Sequence, residues 1–106
     1  MPSLEEFRKI ELKIAEIESV RPHPNADRLY VLEVKVGEIR KTIVAGIRLH
    51  YGEDELKGKK VVLVNNLEPA QIRGVESQGM LLAASDGAVL SLIVPERPIE
   101  AGAGVR

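Results

Sequence analysis

Residues 30 to 45 constrain the fold more than any other stretch. From Tyr30 to Val36, the apolar Leu32, Val34 and Val36 alternate with Glu33 and Lys35. A period of two is the mark of a strand with one buried face. Gly37-Glu38 turns the chain, and Arg40 to Ala45 returns as a second strand. Two such runs across a two-residue turn containing glycine predict a β-hairpin. A lone hairpin is marginal in water, so other strands must complete a sheet around it.

The flanking sequence supplies them. Ser3-Leu4-Glu5-Glu6 reads as a capping box opening a short helix over residues 4–9. Ile10, Leu12 and Ile14 then alternate with Glu11 and Lys13 as a first strand. The phase slips after Ala15, because Ile17 and Val20 follow out of step, and a β-bulge is expected there. Arg21 to Asp27 is a loop: Pro22 and Pro24 lack donors, and Asn25 and Asp27 favour turns. Glu53, Asp54 and Glu55 before Leu56 suggest a short helix with an acidic first turn, closed by Gly58. Lys60 to Val64 is continuously β-branched or aliphatic and reads as a buried strand. Asn65 to Gly79 reads as a loop, Gly79 to Ala84 as a fifth strand, and Val89 to Val94 as a short sixth. In the tail, Ile99 and Val105 are the expected anchors.

Three strands, a helix and two more strands is the order of an all-β OB-fold, a five-stranded barrel with short helices. At 106 residues the chain holds a single domain, residues 1–106. OB barrels bind ligands on the strand 2–3 face and on the loops after strands 1 and 4. Here those loops are 21–27 and 65–79, the two most unusual stretches of the chain.

Composition narrows the chemistry. With no cysteine, disulfides, thiolate ligands and a cysteine nucleophile are excluded. The longest apolar run is far short of the ~18 residues of a membrane span, and Met1 to Arg8 has no apolar signal core. His23 and His50 lie in separate segments without ligand spacing, so no metal or other cofactor is expected. No P-loop, GxGxxG or GxSxG motif occurs, and Ser77 has no base near it in sequence; catalysis is not expected.

The 15 basic and 16 acidic residues sum to −1, awkward for a nucleic-acid binder. The charge is unevenly placed: residues 1–20 sum to −2, residues 21–73 to +3, and residues 74–106 to −2. Phe7, Tyr30 and Tyr51 are the only aromatics, too few for a platform of stacked bases.

The 65–79 loop carries the most recognition chemistry. Asn65, Asn66, Gln71, Ser77 and Gln78 offer paired donors and acceptors. Arg73 offers a planar cation for phosphate or base, Gly74 and Gly79 permit close approach, and Met80 is a soft apolar neighbour. That set suits an unpaired nucleotide.

The run Asn66-Leu67-Glu68-Pro69 followed by Arg73-Gly74-Val75-Glu76-Ser77-Gln78-Gly79-Met80 resembles the tRNA-binding domain appended to methionyl-tRNA synthetases. The same domain occurs as free-standing bacterial tRNA-binding proteins and in the eukaryotic synthetase cofactor. His23-Pro24-Asn25-Ala26-Asp27-Arg28-Leu29 is similar to the family's first loop, and Ile10 to Ile14 to its first strand. Lys41 to Gly46 and Gly58 to Val62 also fit, so the resemblance covers residues 5–106.

The resemblance implies a cytoplasmic, non-catalytic OB-fold that dimerises through N- and C-terminal additions and raises the synthetase's affinity for tRNA. Its partners would be tRNA, a second copy of itself and the catalytic part of the synthetase. The implied tRNA contacts are Asn25, Arg73, Ser77 and Met80, with Gln78 beside them and Arg28 in the first loop. Arg40, Lys41, Lys59 and Lys60 are candidate phosphate contacts. Two positions depart from the family: Glu68 stands where lysine is usual, and Gln71 where a basic residue is common. The apolar tail, with Leu92, Ile93, Val94, Ile99 and Val105, is a candidate dimer surface. The competing reading is a dimeric peptide-binding, export-chaperone-like OB protein, a branch of the same family that normally lacks the Asn-Leu-x-Pro and Ser-Gln-Gly-Met runs. The sequence leaves open whether the chain is free-standing or a piece of a synthetase.

Overall fold

The computed structural model describes residues 1–106. The hairpin forms as its alternation requires. Strand β2 (Tyr30–Val36) pairs with β3 (Ile39–Ala45) in continuous register from Tyr30↔Ala45 to Val36↔Ile39. Gly37 takes the left-handed turn conformation, at φ +62°. Leu32, Val34 and Ile43 point into the core and are fully buried.

Strand β1 (Leu12–Pro22) is the longest element and the hub of the sheet. Its C-terminal half pairs with β2, and its N-terminal half pairs with β4 (Lys60–Val64). The expected bulge exists, but it lies between Ile17 and Ser19 rather than after Ala15. Ile14 and Ala15 are both buried because this strand is covered on two sides. Ala15 and Ile17 face the core, whereas Ile14 bonds the tail: its N–H donates to Ala103 O and its carbonyl accepts from Gly102 N. Ile10 is not part of the strand; it sits exposed in the turn after helix α1 (Leu4–Phe7).

The capping box of α1 is complete. Ser3 Oγ accepts from Glu6 N, and the Glu6 carboxylate accepts from Ser3 N. That backbone bond, with the hydroxyl beside it, holds the Glu6 carboxyl below the usual carboxylate range. Helix α2 (Glu53–Leu56) plugs the core with the fully buried Leu56.

The sheet order is β3-β2-β1-β4-β7, where β7 is Met80–Leu81. It curls into an open half-barrel, an OB-like all-β fold. The expected fifth strand over 79–84 is in fact two. β7 pairs with β4, while β8 (Ala83–Ser85) turns away to pair with β9 (Leu90–Leu92). Leu82 is the point of departure, donating to Val62 O and accepting from Ile93 N.

The stretch 65–79 is no open loop. It contains a hairpin, β5 (Ala70–Ile72) and β6 (Val75–Ser77), after which the chain crosses from β3 to β4 and draws the curl together. At that crossing Gln78 N donates to Thr42 O, Gln78 Oε1 accepts from Thr42 N, and Ser77 Oγ accepts from Val44 N. Gly79 follows because a Cβ there would stand 2.9 Å from Val64 O.

The tail is tied by backbone rather than by Ile99, which is exposed. Strand β10 (Gly104–Val105) pairs with Leu12 and Lys13, taking the edge of β1 beyond the end of β2. No helix is long and apolar enough to cross a membrane.

Candidate nucleic-acid interface

The loop after β1 and the β5–β6 hairpin meet. Pro22 and Pro24 stiffen the chain on either side of His23. His23 is 97 % enclosed (3 % exposed), and both ring nitrogens are used. Asn25 N donates to Nδ1 at 2.9 Å, and Nε2 lies 2.9 Å from Ile72 O. An amide N–H can only donate, so Nδ1 is the acceptor and Nε2 carries the proton. His23 N also donates to Leu29 O, closing the loop's base.

Ile72 leads into the two-residue turn Arg73-Gly74, whose φ angles are +52° and +92°. Such primed turns need φ > 0 at both positions and normally recruit glycine or asparagine. An arginine there carries steric strain of about 1–2 kcal/mol. The turn aims Arg73 back at the first loop. Its Nη2 donates to Asn25 O at 3.0 Å, and Asn25 Nδ2 donates to Arg73 O at 3.4 Å.

Between the two lies a concavity of about 400 Å³, lined by Asn25, Ala26, Asp27, Arg28, Leu29 and Arg73. Arg48, from the turn after β3, backs the loop; its N–H donates to Arg28 O and its Nη1 to Ala26 O. Arg28 and Arg73 in its wall, with Arg48 behind the loop, against the single carboxylate of Asp27 make a cationic hollow with the Asn25 amide at its rim. Geometry of this kind fits a phosphate flanked by a polar edge. Sequence reasoning passed over Arg48, which sits in no motif; only the positive sum of residues 21–73 contained it.

The structure brings Asn25, Arg28 and Arg73 together. The other sequence candidates lie elsewhere. Ser77 is 3 % exposed, and its hydroxyl accepts from Val44 N and donates to Gly79 O. Gln78 is bonded along β3, so both residues draw the curled sheet together. Asn66 is likewise spent, and Asn65 donates its Nδ2 while its Oδ1 is buried without a partner; the two tie the α1–β1 linker through Glu11 and Lys9. Arg40 is in a two-point ion pair with Glu18, 2.8 Å from Nε to Oε1, and that hydrogen bond and charge raise its pKa further. Lys41 Nζ donates to Asn65 O, and Lys60 Nζ to Ile99 O. Lys59 lines a separate concavity with Lys60 and residues 94–98. Glu68 and Gln71 are exposed, so the family departures are at the surface.

Met80 is exposed, but in an apolar setting. It lines a groove of about 450 Å³ with Phe7, Ile10, Leu12, Val64, Leu67 and Leu82. The pairing explains the groove: Leu12↔Val64 and Val64↔Met80 place these side chains on the outer face of the sheet. β4 is continuously apolar because Val61 and Leu63 fill the core while Val62 and Val64, also buried, lie on the opposite face of the sheet.

Residues 12–104 match the sequence model of the family described as "Putative tRNA binding domain". The chain is 52 % identical to the methionine–tRNA ligase of Pyrococcus furiosus over 104 residues, 98 % of this chain and 14 % of that protein. It is 48 % identical over 105 residues to the same enzyme of Deinococcus radiodurans, covering 98 % and 15 %. The chain therefore spans about one seventh of the curated relatives, and the matched region is their accessory domain, not the catalytic part. Among solved structures, a MetRS-related protein of Pyrococcus horikoshii superposes with a TM-score of 0.93 at 34 % identity, covering 100 % and 98 %. The chaperone CsaA of Bacillus anthracis superposes at 0.90 with 25 % identity, covering 100 % and 99 %. With the family matched over nearly its whole length, this chain belongs to the tRNA-binding domain family of the methionyl-tRNA synthetase type.

Proposed function

We propose that the domain is a non-catalytic tRNA-binding and dimerisation module of the cytoplasm, raising the tRNA affinity of a methionyl-tRNA synthetase. It would do so as an appended domain, a separate subunit or a free-standing protein. The observation that carries this reading is the hollow held between Asn25, Arg28 and Arg73, backed by Arg48. Phosphate contacts from these arginines supply affinity, and the Asn25 amide supplies a polar edge. Arg40, Lys41 and Lys60 are already engaged within the protein, so this reading gives them a smaller share.

The groove of Phe7, Leu12, Leu67 and Met80 supports the dimer. An apolar outer sheet face beside an exposed helix is the composition of an interface between copies. Pairing also doubles the cationic hollows offered to one tRNA.

A titration of tRNA at two salt concentrations tests the reading. With a few phosphate contacts, log K should fall against log salt with a slope of roughly −2 to −4. Absence of binding at low salt overturns it. The second reading, a peptide-binding chaperone, is favoured by the same groove and by the likeness to CsaA. It predicts peptide binding with no steep salt dependence; displacement of that peptide by tRNA would rule it out.

A further inference from the structure

We propose that His23, as its neutral Nε2–H tautomer, is the positioning residue that assembles the nucleic-acid site before ligand arrives. This rests on the tRNA-binding reading above. The ring joins segments 49 residues apart in the chain. At one edge it accepts from Asn25 N, and at the other it donates to Ile72 O, the residue just before the Arg73 turn. One planar side chain thereby sets the spacing of both ligand-facing residues, Asn25 and Arg73. Asparagine and glutamine also carry an acceptor oxygen and a donor NH2, but side by side on a single amide end; only imidazole presents donor and acceptor on opposite edges.

Arg73 needs such a hold. Its left-handed backbone persists only where its surroundings over-determine it. Three bonds do so: His23 to Ile72 O, Arg73 Nη2 to Asn25 O, and Asn25 Nδ2 to Arg73 O. The first is part-buried and comes from a buried ring; the other two are exposed. Without the ring, the hairpin tip loses its register to the first loop, and Arg73 must be ordered by the ligand. Affinity falls by that ordering cost. His23 therefore acts through Arg73 and touches no ligand itself.

The test is a double-mutant cycle in tRNA affinity on the whole chain. Arg73→Ala should weaken binding about tenfold in the native background. His23→Ala should weaken it by a similar factor, and adding Arg73→Ala to it should cost less than about twofold more. Full, independent losses from both substitutions would overturn the proposal. If His23→Ala fails to fold, His23→Gln replaces it in the cycle with the same criterion. Ring ¹⁵N shifts of the native free protein provide a second measurement. A protonated Nε2 and an unprotonated Nδ1 at neutral pH are expected; the opposite tautomer or a doubly protonated ring overturns the proposal. If native protein fails to bind tRNA, the functional reading falls, while the ring shifts still judge the tautomer.

Discussion

Two of the molecule's hollows are of similar size and opposite character. The Asn25–Arg73 hollow is polar, and its walls are stitched by hydrogen bonds from a buried histidine and a strained arginine turn. The Phe7–Met80 groove is apolar and is walled by side chains that simply run out of core. The first is specified by direction, since the His23, Asn25 and Arg73 bonds that hold its walls each run from a named donor to a named acceptor. The second is specified by area alone. A site built from directed bonds can discriminate among ligands, whereas a site built from exposed apolar area needs a partner of matching shape.

The largest effect should come from charging the apolar groove. Met80→Lys should weaken dimerisation by about 100-fold or more, because an unpaired ammonium would be buried in the interface. Sedimentation at micromolar concentration checks it, and a native protein already monomeric there would break the comparison. Gly79→Ala attacks the junction of the two regions, since the new Cβ would stand 2.9 Å from Val64 O and 3.0 Å from Leu63 Cδ1. It should cost about 1–3 kcal/mol of fold stability in thermal melts, with tRNA binding and dimerisation weakened together.

Arg73→Ala should remove about 1–3 kcal/mol of tRNA affinity while leaving melting nearly unchanged. Arg73→Gly should lose the same affinity without loss of melting temperature, because glycine relieves the left-handed strain. A matching fall in stability would instead make Arg73 structural.

The smallest effect concerns the helix beside the groove. Glu6 is held below its ordinary value of 4.5 by the Ser3 N–H, so its contribution is complete above that pH. That contribution is lost as pH falls through the lowered value. The α1 turn should loosen in acid, and Glu6→Gln, which removes the titrating carboxyl but keeps an oxygen to accept from Ser3 N, should abolish that acid dependence in amide exchange of residues 4–7.

The strands that alternate were legible in the sequence because burial on one face forces a period of two. β2, α2 and β4 stand where their residues predict. The β5–β6 hairpin was missed because each strand has only three residues and the turn is Arg-Gly rather than Asn-Gly. The break at Leu82 has no compositional trace, since Leu81, Leu82 and Ala83 are alike in hydropathy and differ only in which strand receives them. For the site, residue type revealed the inventory of donors and acceptors but not their partners. Asn66 and Ser77 spend theirs inside the fold, as Asn65 does its Nδ2, and His23, which reads as an ordinary loop histidine, bonds a carbonyl 49 residues away.

Strand β1 has a consequence for the order of assembly. It is flanked by β4 on one side and by β2 and then β10 on the other. The β2–β3 hairpin closes over a two-residue turn and can form within about 1–10 μs. The pairing of Leu12 with Val105 must wait until the residues between them have been synthesised. Until then the N-terminal edge of β1 stays open beside a nascent apolar face, a place where two growing chains could pair with each other. Gly102, crossing directly over Gly37, is the final stitch that removes that edge.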